Sequence, residues 1–148
     1  MSDPFNEVAG MPLVVHWRIC PHFFFTWEID FDAVVPQVPP ELEPVEIRPG
    51  VALLSVGCLR YQPGHFGSES PSFNEVVTAV HVHPDLSIDM PHPRFTFFAT
   101  SVDTDSPDFV RQEGETLFTP TRLIPSLRFE YAGDGLGVDA FDETGPIL

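Results

Sequence analysis

The sequence predicts an α+β domain in which antiparallel β-structure dominates, arranged as a curved or closed β-barrel with two short helices packed outside. Three observations predict it. Seventeen prolines and ten glycines interrupt the 148-residue chain so often that few segments can hold a long helix, while many can hold a short strand. Apolar, aromatic and β-branched runs recur at strand length. Helix signals bound only short segments. The length suits one domain spanning residues 1–148.

The elements follow in order. Leu13 to Ile19 and Phe23 to Ile29 read as strands, with Pro21 as a break between them. Asp30 can cap a helical turn through Phe31, Ala33, Val34 and Val35, which Pro36 and the pair Pro39-Pro40 bring to an end. A proline-studded connector reaches Gly50. Val51 to Tyr61 is a continuous apolar run, consistent with a central strand that bends or bulges at Gly57. After a glycine- and serine-rich loop from Gln62 to Ser72, the strand pattern resumes at Phe73 to Val82 and again at Arg94 to Ser101, the two joined through a turn from Pro84 to Pro93. Ser106-Pro107, followed by Asp108 to Glu113 and then Gly114, has a cap, a proline at the first helical position and a terminating glycine. Leu127 to Tyr131 and Gly137 to Phe141, separated by Ala132-Gly133-Asp134-Gly135, read as a hairpin. Fourteen phenylalanines would fill the core, or in part line a cavity.

Composition excludes several functions. A formal net charge of -15 repels phosphate backbones and anionic headgroups, so neither nucleic acid nor a membrane is the expected partner. The N-terminus lacks the basic patch and apolar run of a secretory signal, and no apolar stretch is long enough to span a bilayer, so the expectation is a soluble cytoplasmic protein. Cys20 and Cys58 have no C-x-x-C spacing and read as buried, reduced thiols. All seven basic side chains are arginines. With no lysine, a side-chain Schiff base is excluded, because only an unprotonated primary amine condenses with a carbonyl.

Few residues offer chemistry. Glu75 opens an apolar strand directly after the serine- and glycine-rich loop. Facing inward, it would be desolvated into a usable general acid or base; otherwise it is an exposed strand-end carboxylate. His81 and His83 form an H-x-H pair that strand geometry would put on one face, and with Asp85 or His92 they are weak candidates to hold Zn(II) or Fe(II). No G-x-S-x-G elbow, activated cysteine, phosphate loop or calcium loop is present, and no cofactor is expected.

Read in order, several segments resemble the acetoacetate decarboxylase superfamily. Asp30 to Pro44, with Pro39-Pro40-Glu41-Leu42-Glu43-Pro44, is similar to its entry helix and "P-E-P-L-E-P" turn; Phe73-Asn74-Glu75 is similar to its "Y-x-E" strand start; Phe97 to Asp103 is similar to its strand running into an aspartate turn. Phe118 to Leu123 then falls where the family has "Y-P-K-K-L". The resemblance implies a cone-like antiparallel barrel around a partly apolar cavity, often oligomeric, so a homo-oligomer binding a small molecule is the expectation. It implies that Glu75 is a cavity carboxylate, and that Thr121 and Arg122 stand at the Schiff-base lysine and the lysine that tunes it. The family's N-terminal cavity arginine aligns near Cys20, leaving Arg18 as a displaced substitute. A threonine cannot form an iminium. Two functions remain: acid–base chemistry on a small oxo acid or related carbonyl metabolite, with Glu75 moving a proton, Arg122 binding or polarising the substrate and Arg18, Thr121 and Phe97 contacting it, or a non-catalytic barrel for a small apolar ligand.

Overall fold

The computed structural model describes residues 19–63, 71–83, 96–116, 120–131 and 138–146. Among them the chain is mainly β. Five strands, β1 (Ile19–Asp30), β2 (Val51–Tyr61), β3 (Phe73–Val82), β4 (Thr96–Thr104) and β5 (Thr121–Leu123), form one sheet in the order β1-β2-β3-β4-β5. The first four pair antiparallel, and β5 pairs parallel to β4 after a crossover through helix α2 (Pro107–Thr116). A second sheet contains β6 (Arg128–Tyr131), β7 (Val138–Asp142) and β8 (Gly145–Pro146). The five-stranded sheet is open, with β1 and β5 at its two ends, where the sequence reading expected a curved or closed antiparallel barrel. The parallel arrival of β5, three residues long, ends the antiparallel run that closure would have continued.

Both faces of the sheet are hydrophobic, which explains the near-continuous apolar run of β2. On one face Val34, Val38, Ala52, Val80 and Val82 form a core under the helical turn α1 (Phe31–Val34), the 3-10 turn Val35–Gln37 and the proline-rich connector. Asp30 caps α1 by accepting a hydrogen bond from Asp32 N at 3.0 Å, as its sequence position predicted. Further along that face Val56, Cys58, Val76, Ile124 and Leu127 form a second core. Cys58 is a free thiol, and burial pushes its pKa up to about 11. On the opposite face, Phe109 of α2 packs on Leu59, Tyr61, Phe73 and Val102. Tyr61 and Phe73 stack at 4.3 Å between ring centroids, and Tyr61 is 1% exposed. Ser106 caps α2, accepting from Phe109 N at 3.2 Å.

Four expectations are corrected. Pro21 does not break the strand: β1 runs through it, and a register irregularity between Ile19 and His22 absorbs the missing donor on an end strand, where a proline is tolerated. Gly57 marks no bulge, since its pairing with Phe24 and Val77 is in register on both sides. Helix α2 continues through Gly114. Strand β4, described from Thr96, runs past the expected end at Ser101 to Thr104, with an irregularity opposite Thr78 and Ala79; Arg94 and Phe95 lie outside the described residues. Most of the strand expected at 13–19 and the turns at 84–93 and 132–135 lie outside the described residues.

Candidate functional site

Pairing register stacks the side chains of the α2 face into rows across the strands. Phe24, Gly57, Val77, Val102 and Thr121 form one row; Thr26, Ser55, Ala79 and Ala99 form the next; His81 and Phe97 follow. Gly57, Ala79 and Ala99 carry one carbon or none in their side chains, so the middle of this face is shallow. The rings of Phe24 and Phe97 rise from β1 and β4, three strands and two rows apart. Between them lies a cavity of about 170 Å³ lined by Phe24, Ser55, Gly57, Val77, Ala79, Phe97 and Ala99. Phe24 and Phe97 are 56% and 51% exposed, which leaves two large apolar rings at the cavity mouth. Helix α2 covers the face at one end of the cavity, through Phe109.

Gly57 is required by the close approach of the row. A Cβ there would meet Phe24 Cε1 at 2.6 Å and Val77 Cγ1 at 2.9 Å. One line of polar atoms crosses the floor. Ser55 Oγ lies 2.8 Å from Thr26 Oγ1 and 2.9 Å from His81 Nε2. His81 is 8% exposed, its ring meets Phe97 edge-on at 4.7 Å, and burial holds its pKa below the usual imidazole value. The backbone here is fixed from outside the strand, because Val45 N donates to His81 O at 2.9 Å and Pro44 bridges to Val82.

The residues singled out in the sequence are distributed as follows. Glu75 is 6% exposed, so it is not a solvated strand-end carboxylate. It stands in the row Leu59, Glu75, Thr104 and Leu123, on the cavity's face but one row beyond the lining residue Val77. Arg122 points to the other face: it is in register with Asp103, and its Nε and Nη2 donate to the Asp103 carboxylate at 2.8 and 3.0 Å. Glu75 and Arg122 are therefore not brought together, because they occupy adjacent rows of opposite side-chain direction. Thr121 is half-buried at the far end of the Phe24 row, on β5, and Phe97 is in the cavity wall. Arg18 and His92 lie outside the described residues.

The expected same-face pair of His81 and His83 does not form on a strand. Strand β3 ends at Val82, and His83 is exposed beyond it, with its backbone N–H bonded to Glu43 O at 2.8 Å. Among the described residues no group of three or more His, Cys, Asp or Glu side chains could hold a metal ion. Ser55 and Thr26 were not anticipated. A serine inside an apolar run carries no local signal, and only the register between strands brings it to His81.

No protein-family model matches the chain, and no curated protein is similar to it at a significant level. Among solved structures it is similar to the enduracididine biosynthesis enzyme MppR with HEPES buffer bound, at 16% sequence identity and a TM-score of 0.48. The match covers 78% of this chain and 42% of that enzyme, so the chain spans less than half of its length. At that level of likeness nothing of the enzyme's chemistry follows for this chain. No helix among the described residues is long and apolar enough to cross a membrane.

Proposed function

We propose that the protein binds a small, largely apolar molecule carrying one hydrogen-bonding group, in the cavity between Phe24 and Phe97. The observation that carries this reading is the composition of the cavity wall: hydrocarbon on every side except Ser55, which is tied into a hydroxyl–imidazole line. A concave apolar site with one placed polar group is the usual form of a small-molecule pocket. The sequence resemblance to the acetoacetate decarboxylase superfamily supports a cavity protein, and the absence of lysine keeps any chemistry there free of a Schiff base. Arg122, engaged by Asp103 on the opposite face, supports binding over the Glu75–Arg122 acid–base pair. The burial of Glu75 on the cavity's face favours a second reading, in which Glu75 moves a proton of a bound oxo compound without help from Arg122.

The test is an NMR titration with cyclohexanone, following backbone amides. Shifts should concentrate at Ser55, Gly57, Val77, Ala79 and Ala99. Phe97→Ala should weaken binding by about tenfold through the lost apolar wall, and Arg122→Ala should leave it unchanged. Loss of binding in the Arg122 variant, with the fold intact, would return the site to the acid–base pair. Turnover of acetoacetate abolished by Glu75→Gln would establish the second reading.

A further inference from the structure

The cavity's walls explain why an apolar molecule would enter, but they do not explain the polar line beneath it. Ser55 is 3% exposed and stands between Thr26 Oγ1 and His81 Nε2. A serine hydroxyl has one proton to donate and two lone pairs to accept with. With both neighbours engaged, one capacity is left over. With Thr26 as the donor of its own bond to Ser55, the sign is set by the ring nitrogen. Where Nε2 is bare, Ser55 donates to it, accepts from Thr26 and keeps a lone pair for the cavity. Where Nε2 carries a hydrogen, the ring and Thr26 both donate to Ser55, and the Ser55 O–H is released toward the cavity.

A neutral imidazole passes between these arrangements by exchanging tautomers, with no change of charge. Burial favours the neutral ring, since it lowers the His81 pKa. A ligand's polar atom left without a partner in so apolar a site would cost binding free energy, so the one adjustable group is the place for it. We propose that Ser55 hydrogen-bonds the polar group of the cavity's ligand and that the His81 tautomer follows that group, so that the ketone and the alcohol of one small apolar skeleton are both accommodated. The inference rests on the cavity being the binding site, and it deepens that reading by naming the ligand's chemical class and the residues that read it.

The experiment uses the full chain labelled with ¹⁵N in its histidine rings, at mildly alkaline pH so that imidazole is neutral, titrated separately with cyclohexanone and cyclohexanol. Saturation with the ketone should move the His81 Nε2 resonance toward the protonated, pyrrole-type position. The alcohol, whose O–H needs an acceptor in so apolar a site, should move it the opposite way, toward the bare, pyridine-type position. Ser55→Ala should abolish the opposition while backbone amides still report both ligands bound. Binding of both ligands with the ring unmoved, or moved alike, would overturn the inference and leave the cavity reading intact. Persistence of opposite shifts in Ser55→Ala would overturn it too, by showing that the ring responds without the serine. Absence of any amide shift at the cavity with either ligand would remove both readings together.

Discussion

At Gly57 a hydrogen in place of a methyl group keeps the cavity's floor open. Alanine would put its Cβ within 3 Å of atoms on two other strands, Phe24 Cε1 and Val77 Cγ1. The Phe24 ring is half exposed and can swing aside, but Val77 is held between two neighbouring strands. Gly57→Ala should therefore lower stability by about 1–3 kcal/mol, read as a shifted urea midpoint, and should abolish the cyclohexanone shifts. An unchanged midpoint with binding retained would show that the row has slack. A strand glycine signals either a bulge or a close approach, and the partner that decides between them lies on another strand, beyond any local pattern. The same holds for Ser55. Glu75 was easier to read, because an acid at the head of an apolar strand has half of its surroundings declared in the sequence, whereas the direction of Arg122 depends on the register of β5.

Among the elements, β2 and β3 begin and end where their apolar runs do, because a run bounded by proline, glycine and serine has nowhere else to stop. Helix α2 was legible from its start, where the Ser106 hydroxyl receives the Phe109 N–H. Removing that cap in Ser106→Ala should cost about 1 kcal/mol, measurable by chemical denaturation. It should leave cavity binding intact, since α2 touches only the end of that face. A loss near zero would mean that solvent or a neighbouring group replaces the hydroxyl. Its far end was misread, because a single glycine costs a helix only about 1 kcal/mol and need not end it. Strands β5 and β8, three and two residues long, are too short to show periodicity and exist through their neighbours alone.

For the whole molecule, the dominant quantity is charge. With 22 acids against seven arginines, compaction works against self-repulsion, and the ion pairs Arg48–Glu28 and Arg111–Asp108 are exposed on both sides. Screening should relieve repulsion more than it weakens such pairs. The thermal midpoint should accordingly rise by a few degrees between about 10 mM and about 150 mM sodium chloride, as followed by circular dichroism; a fall would show that the pairs outweigh the repulsion. The same acidity bears on the outermost described strand. Strand β1 is twelve residues long and carries exposed Phe24 and Trp27, the features that let one chain template another into intermolecular ladders. The irregular step between Ile19 and His22 breaks the flat register that such stacking needs. The place where the sequence first suggested a strand's end is thus where the edge is least suited to fibrillar assembly.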